Sequence, residues 1–145
     1  KESGHDIPLV MDTDWRSRYR FRSEHPESDG EKMVAEDDRV VRVSRGIVPK
    51  EASGEFTGVL KMTAAGAAGF LDFYDDLYGS LGTEGVLAEG RPFRMAYFIH
   101  QLDRMIQDGV EVHCVPVPGD YHEIDTLQDY ELAKGDWVRF ADGSG

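Results

Sequence analysis

The sequence predicts a mixed α/β fold in which a sheet with a β-hairpin section is covered by helices. Runs of apolar and β-branched residues, bounded by turn residues, predict strands near residues 7–12, 31–44, 54–63 and 110–115. Apolar residues at helical spacing predict helices near residues 64–78 and 93–108. Because strands and helices alternate in the second half of the chain, we expect a layered sheet rather than a helical bundle.

The length and the charge of the chain limit its possible functions. A chain of 145 residues accommodates one domain of ordinary size. Its formal net charge of −12 opposes binding to nucleic acid and to anionic membranes. The single cysteine, Cys114, excludes an internal disulfide, and no apolar stretch approaches the roughly 20 residues that a membrane helix needs. We therefore expect a cytoplasmic protein that binds neither nucleic acid nor membrane.

The first strand ends at acidic residues. Asp12 closes it and Asp14 follows, where loop carboxylates either bind a ligand or, as is also common, have no function. Residues 15–22 then interleave aromatic residues with four arginines, a pattern that predicts an edge strand with its arginines on one face. These arginines suit phosphate or carboxylate groups of a ligand, or the abundant acidic side chains of the protein itself.

The next segments predict a hairpin and a strand that contains glycine. Residues 31–36 and 39–44 flank a pair of aspartates, which is the pattern of a hairpin. Gly54 and Gly58 would weaken an ordinary strand near residues 54–63. They indicate either a close approach of backbone or ligand, or a β-bulge.

Two amphipathic helices follow. Thr63 caps the first, Gly79 ends it, and we expect its apolar stripe in the core, namely Ala67, Phe70, Leu71, Tyr74, Leu77 and Tyr78. The second ends at Gly109 and places His100 on its exposed face. Its predicted buried face consists of Met95, Phe98, Ile99, Leu102, Met105 and Ile106. The five histidines of the chain show no metal-ligand spacing, and serine-hydrolase signatures are absent.

Four carboxylates surround a predicted strand-to-helix junction at residues 119–130. Thr126 is the predicted N-cap of the last helix, and Asp129, three residues later, completes a variant of the capping box.

Alternation of side chains in the junction predicts an acidic face. If residues 121–125 are extended, Tyr121, Glu123 and Asp125 lie on the same side. Asp125 could then supply one ligand to a hard cation such as Mg²⁺. Alternatively, Asp125 only interacts favourably with the helix dipole and Glu123 is solvated.

Several motifs resemble one family of enzymes. The run Gly-Asp-Tyr-His-Glu-Ile-Asp-Thr-Leu-Gln-Asp-Tyr-Glu-Leu-Ala, residues 119–133, resembles the closing motif of sugar-phosphate and phosphocholine/phosphonate-type nucleotidyltransferases. Three earlier runs are similar to the second half of the same family, in its usual order: Asp12-Thr13-Asp14-Trp15, Glu31-Lys32 and Gly54-Glu55-Phe56-Thr57-Gly58. Ordered motifs are far more specific than any single one. The resemblance implies the second half of a Rossmann-like, GT-A-like domain.

The resemblance also implies roles for individual residues. Asp125 corresponds to a ligand of the catalytic Mg²⁺, and Lys32 would act in catalysis by facing the phosphate of the acceptor. The residues expected to bind substrate are Asp12, Trp15, Gly54, Glu55 and Glu123. The implied reaction couples a nucleoside triphosphate (NTP) to a small phosphorylated or phosphonylated acceptor and releases pyrophosphate, with Mg²⁺ as cofactor.

One part of the family pattern is missing from this chain. The family begins with a glycine-rich loop and a basic signature that bind the nucleotide, and no such run occurs here. We therefore assign residues 1–140 to the acceptor- and metal-binding half of a domain and residues 141–145 to a disordered tail. Because an apolar strand begins by Ile7 without an initiator methionine, we expect the natural polypeptide to begin earlier.

Two interpretations of this half-domain stay open. The chain is part of an active enzyme, or it is a non-catalytic, degenerate half-domain or binding module that pairs with another chain. In either case a half-domain exposes apolar surface, so we expect a homo-oligomer or a complex with a complementing N-terminal half.

Overall fold

The computed structural model describes residues 4–120 and 122–141. In chain order the strands are β1 Pro8–Asp12, β2 Lys32–Glu36, β3 Arg39–Ser44, β4 Gly54–Leu60, β5 Val86–Ala88, β6 Arg91–Pro92 and β7 His113–Val117. The helices are α1 Trp15–Tyr19, α2 Ala64–Leu81, α3 Phe98–Gln107 and α4 Leu127–Ala141. Residues 142–145 of the predicted tail lie outside the described residues.

Five strands form a sheet that closes on itself in the order β1-β4-β2-β3-β7. The β2–β3 hairpin is antiparallel, as predicted, and β1 pairs antiparallel with β4 and parallel with β7. A single residue pair, Arg39 with His113, joins β3 to β7 and closes the sheet. Strands β5 and β6 form a separate two-stranded sheet. The sheet and its helices confirm the predicted mixed α/β class.

The core lies between the closed sheet and α3. Its buried members are Ile7, Leu9, Met11, Met33, Val40, Val43, Phe56, Ile99, Leu102, Met105, Val112 and Cys114. Burial raises the pKa of the Cys114 thiol, and this residue serves as a small apolar side chain, as the sequence predicts. Within the part of the chain that the structure describes, no helix is both long and apolar enough to cross a membrane.

The edge strand predicted at residues 15–22 is wrong, because α1 occupies Trp15–Tyr19. Side-chain hydrogen bonds turn the chain directly after β1. The backbone N–H of Asp14 donates to Asp12 Oδ1 at 2.8 Å, and the Ser17 hydroxyl donates to Asp14 Oδ1 at 2.7 Å. Local bonds of this kind favour a turn and the start of a helix over an extended strand.

The helix ends differ from the prediction in two places. α2 continues past Gly79 to Leu81, and the helix stops before Gly82, which has a φ of 61°. α3 begins only at Phe98, because Phe93–Met95 forms a separate 3-10 turn. Gly109 follows α3 with a φ of 92°, in the position predicted for its end.

Half of the apolar stripe of α2 that was predicted for the core is exposed, whereas Leu77 is buried as predicted. Leu71, Tyr74 and Tyr78 are 60, 41 and 47% exposed. The helix packs on the core cluster through Phe70 and Phe73, which are only partly buried. Helical periodicity places apolar residues on one side of α2, but the closed sheet covers only part of that side.

The buried face of α3 agrees only in part with the prediction. Ile99, Leu102 and Met105 are buried as predicted. Met95 and Phe98 are exposed, whereas His100, predicted at the surface, is buried. The backbone N–H of Tyr97 donates to His100 Nδ1 at 3.2 Å, and His100 Nε2 lies 3.3 Å from Glu89 Oε2. Polar partners on both ring nitrogens allow this imidazole to be buried.

Gly54 and Gly58 occur in β4 for different structural reasons. Gly58 has a φ of 76° and lies where the β1–β4 register shifts, between the pairs Leu9–Leu60 and Met11–Phe56, which is an irregularity of the bulge type. Gly54 lies against β1, where a Cβ would approach the backbone oxygen of Asp12 to 2.7 Å. The close approach expected at Gly54 is therefore an approach to a neighbouring strand.

We expect Gly54→Ala to destabilise the protein by about 1–3 kcal/mol, because the added methyl group overpacks the β1–β4 contact. Gly69→Ala is the matched control, since Gly69 lies in α2 with open space where its Cβ would stand. This control should stabilise the protein by about 0.5–1 kcal/mol. Urea unfolding measures both changes, and equal effects of the two substitutions would contradict the packing argument.

Candidate functional site

Three of the predicted site residues lie side by side on neighbouring strands. Asp12 pairs with Glu55 across β1 and β4, and Glu55 pairs with Lys32 across β4 and β2. Residues that face each other in this way carry their side chains on the same face of a sheet. The chain thus brings together two carboxylates and one ammonium group that are up to 43 positions apart in the sequence (55 − 12 = 43).

Residues of α1 complete a buried polar network around these carboxylates. Both the Tyr19 hydroxyl and the Arg18 guanidinium donate hydrogen bonds to Glu55. Arg18 Nη2 also lies 2.9 Å from Asp12 Oδ2. Burial raises the pKa of Glu55, and the hydrogen bond from Tyr19 and the charge of Arg18 oppose this rise. Burial and Glu55 together raise the pKa of Tyr19, which therefore remains a hydrogen-bond donor.

Lys32 is buried, and its ammonium group contacts the backbone. It donates to the carbonyl oxygen of Gly30 at 2.8 Å, and to those of Glu27 and Ser28 at 3.3 Å each. Burial lowers the pKa of Lys32, although the charge of Glu55 acts in the opposite direction. Lys32 therefore holds the loop before β2 in place, and its expected role toward a phosphate stays a prediction.

Trp15 is also buried, with its ring edge-to-face against the Tyr19 ring at a centroid distance of 5.8 Å. Its indole ring supports the Tyr19 side of the network. Gly54 lies in β4 against Met11 and Asp12 of β1. Both residues support the network, and their expected contact with substrate stays a prediction.

The acidic junction after β7 contains a second group of ligands. One nitrogen of His25 and one oxygen each of Glu123 and Asp125 lie within 4.8 Å of one another. His25 Nδ1 is 2.9 Å from Asp125 Oδ2. Glu123 and Asp125 were expected on the same side of the junction, and this grouping agrees with that expectation. Tyr121, the third residue expected on that side, lies outside the described residues. Sequence reasoning missed His25, because it approaches the junction only through the fold.

The predicted capping box at the start of α4 is confirmed. The backbone N–H of Asp129 donates to Thr126 Oγ1 at 3.1 Å, and that of Thr126 donates to Asp129 Oδ2 at 3.0 Å. The N–H of Asp125 also donates to Asp129 Oδ2, at 3.2 Å. Because Asp129 satisfies the helix start, the half-exposed carboxylate of Asp125 is not needed there.

A buried ion pair connects α4 with the segment that follows α1. Arg22 Nε donates to Asp129 Oδ1 at 2.6 Å, and both side chains are buried. Arg22 Nη2 also lies 2.7 Å from His25 Nδ1. Burial alone would raise the pKa of Asp129, but hydrogen bonds from Arg22, Thr126 and the backbone lower it well below its usual range. The pair positions both His25 and the junction.

A cavity of about 460 Å³ lies beside this ion pair. Its polar lining includes Arg18, Arg22, His122, Glu123 and Asp129. Burial raises the pKa of Glu55 and of Glu31, and the negative charge of Glu123 contributes to the rise in both, so the junction lies within electrostatic range of the buried network. Arginines and carboxylates thus lie beside the apolar side chains of Phe21 and Leu132 in a space large enough for a small ligand.

The donor groups of the junction are compatible with a hard divalent cation. Glu123 and Asp125 supply carboxylate oxygens, which Mg²⁺ prefers, on a segment that is open to water. To bind such an ion, the Asp125 carboxylate would have to give up its contact with His25. The buried carboxylates of Asp12 and Glu55 are already bound by Arg18, so the junction fits such an ion better than the network does.

No protein-family model matches this sequence, and no curated protein matches it. Among solved structures, the chain is similar to the inositol-1-phosphate CTP transferase from T. maritima, with a TM-score of 0.57 and 19% sequence identity. The alignment covers 92% of this chain and 46% of that one, so the chain spans about half the length of its structural neighbour. This chain is therefore similar in fold to part of a nucleotidyltransferase.

Proposed function

We propose that this chain forms the acceptor- and metal-binding part of a nucleotidyltransferase. The reaction would couple a nucleoside triphosphate to a small phosphorylated or phosphonylated acceptor and release pyrophosphate. The nucleotide would be held chiefly by residues outside this chain, in a complementing N-terminal half. The fold similarity and the ordered sequence motifs support the same class of activity.

The observation that carries this proposal is the proximity of the junction to the buried network. Glu123 and Asp125 offer oxygens to a cation, and Glu123 lines the same cavity as Arg18, which binds both Asp12 and Glu55. Arg22 also lines this cavity, and guanidinium groups suit phosphate or phosphonate oxygens. A site with adjacent cation ligands and arginines favours a substrate that carries phosphate groups.

Each part of the site would have a distinct role in this reaction. Glu123 and Asp125 would hold Mg²⁺, which when bound offsets the negative charge of the reacting phosphates. Arg18 is held by two carboxylates, so it presents its charge to the cavity in a defined orientation. Glu55 and Tyr19 maintain that orientation. The protein would thus act mainly by positioning charged groups and by holding the acceptor in one orientation.

The test is pyrophosphate release by the natural full-length polypeptide, with a matrix of four nucleoside triphosphates and a panel of acceptors. The panel contains sugar phosphates, phosphocholine and aminophosphonates, together with their dephosphorylated forms as matched controls. We expect turnover that requires one NTP, one phosphorylated or phosphonylated acceptor and Mg²⁺. Absence of turnover with every pair, in a protein shown to be folded, would contradict the proposal.

The exposed stripe of α2 favours a second candidate function, a binding module that pairs with another polypeptide. Leu71, Tyr74 and Tyr78 leave one side of α2 apolar and open, and Phe98 of α3 is exposed as well. Exposed apolar residues that lie together in this way are typical of interaction sites. A purified chain that is folded and binds a partner, without turnover in any full-length form, would favour this candidate.

We expect the isolated chain to self-associate through the stripe of α2. Light scattering at moderate salt should show a mass that increases with protein concentration, and Leu71→Lys should shift the protein toward the monomer. Lys substitution of Val59, an exposed residue of β4, is the matched control and should leave the mass unchanged. A monomer at every concentration would show that this face has no affinity for itself.

A further inference from the structure

Two histidines and one aspartate lie together at a place that the proposed reaction does not use. His5 precedes β1, Asp38 lies in the turn of the β2–β3 hairpin, and His113 is the first residue of β7. One nitrogen of each imidazole and one carboxylate oxygen lie within 4.8 Å of one another. Three segments that are distant in the sequence thus bring three metal-ligating groups to one point.

This group is separate from the acidic junction. Strands β1 and β7 run parallel, with Pro8 beside His113 and Asp12 beside Val117. Four residue steps of about 3.3 Å each separate the two ends of this strand pair, or about 13 Å. The histidines lie at its amino end, whereas Asp12 and the acidic junction lie at its carboxyl end.

Backbone hydrogen bonds hold the three segments in place. The N–H of Cys114 donates to the carbonyl oxygen of Asp38 at 2.7 Å, and the N–H of His113 donates to that of Ile7 at 3.1 Å. Asp37 has a φ of 57° and turns the hairpin just before Asp38. The backbone therefore positions the ligating residues without help from an ion.

The side chains are close but not yet arranged around one point. The rings of His5 and His113 are stacked, with centroids 3.5 Å apart and planes inclined by 9°. His5 Nε2 lies 3.2 Å from Asp38 Oδ2. Because stacked rings direct their lone pairs nearly parallel, a shared ion requires one ring to turn. His5 is the ring that can do so, since it precedes the strand that fixes its neighbours.

We propose that His5, Asp38 and His113 form a binding site for a divalent transition-metal ion, with Zn²⁺ as its representative. Two imidazoles and one carboxylate are a usual donor set for Zn²⁺, with bonds of about 2.0–2.2 Å, and water can occupy a fourth position. Mg²⁺ and Ca²⁺ prefer oxygen donors, so this site should select against them. The partial exposure of all three residues leaves a path for the ion to enter.

A bound ion would reinforce the closure of the sheet. The β3–β7 seam consists of the single pair Arg39 and His113, and Asp38 directly precedes β3. An ion shared by Asp38, His113 and His5 would link the hairpin turn, β7 and the segment before β1. Because the ion binds the folded arrangement, it should raise the melting temperature progressively once the free Zn²⁺ concentration exceeds the dissociation constant.

The test is a titration of the metal-free chain with Zn²⁺ alone, in competition with a chromogenic chelator. We expect one ion at this site, and at least tenfold weaker binding in His5→Gln, Asp38→Asn and His113→Gln, since even residues that only orient metal ligands typically contribute 10- to 100-fold. Substitution of Co²⁺ should give the visible absorption of a tetrahedral ion, and His5→Gln should remove it. Mg²⁺ should neither compete nor raise the melting temperature.

The double variant His25→Gln/Asp125→Asn is the matched control, because it removes two donors of the other histidine-containing group. It should bind Zn²⁺ at the affinity of the unsubstituted chain. Loss of binding in this control would place the ion at the acidic junction and overturn the proposal. Unchanged affinity in His5→Gln and His113→Gln, with folding verified by circular dichroism, would overturn it as well, as would the absence of Zn²⁺ binding to the unsubstituted chain.

Discussion

Asp125→Asn is expected to reduce turnover of the full-length polypeptide by about 100-fold or more while leaving its fold intact. Asparagine is nearly isosteric with aspartate but brings no charge to a cation, and a catalytic ion supplies several kcal/mol of transition-state stabilisation. Stability should change by about 1 kcal/mol or less, because the Asp125 side chain is 52% exposed and Asp129 performs the capping.

The matched control for this substitution is Asp120→Asn. Asp120 is an exposed aspartate of the same segment, outside the group formed by His25, Glu123 and Asp125. Its φ of 57° is a conformation that asparagine adopts readily, so both stability and turnover should be retained. A Mg²⁺ titration of all three proteins separates the causes. Equal turnover of Asp125→Asn and the unsubstituted protein at every Mg²⁺ concentration would remove Asp125 from the site.

Arg22→Met is expected to cost about 3–5 kcal/mol of folding free energy, which is the largest stability effect that we foresee for a polar residue. The substitution leaves the Asp129 carboxylate buried without its ionic partner, and buried pairs are most sensitive to removal of one member. For a chain of this size the melting temperature should fall by about 10 °C. Asp129→Asn should also lower the free energy of unfolding. The double variant Arg22→Met/Asp129→Asn should lose less free energy than the sum of the losses in the two single variants.

The surface pair Arg104 and Asp108 provides the matched control, since its side chains are 46 and 42% exposed. Arg104→Met and Asp108→Asn should each cost about 0–1 kcal/mol. Urea unfolding of both sets of variants measures the difference. Similar costs for the buried and the exposed pair would show that Arg22 and Asp129 do not hold α4 against the segment that follows α1.

The Arg22–Asp129 pair also predicts a dependence of stability on pH. Because the folded state lowers the pKa of Asp129, this carboxylate stabilises the fold above its ordinary pKa of about 4, and the contribution is lost as the pH falls toward its lowered value. Between pH 5 and pH 2.5, the free energy of unfolding should decrease more for the unsubstituted chain than for Arg22→Met. Parallel pH profiles would contradict this assignment.

Local sequence signals predicted those elements whose stabilising contacts are themselves local. The capping box of Thr126 and Asp129 joins residues three positions apart, and the β2–β3 hairpin is set by its own turn. The structure also pairs Asp12 with Glu55 directly, and their expected contact with substrate stays a prediction. For the capping box and the hairpin, the pattern of residues alone restricts the backbone enough to decide the outcome.

The sequence by itself thus determined the mixed α/β class, the hairpin and the acidic junction with its capped helix. Only the tertiary structure decided that residues 15–19 form a helix, that His100 is buried and that Leu71, Tyr74 and Tyr78 of α2 stay exposed. It also decided that His25 reaches Asp125, one hundred positions away (125 − 25 = 100), and that His5 stacks on His113. Periodicity shows which side of an element is apolar, whereas closure of the sheet decides which of those sides are covered and which distant side chains meet.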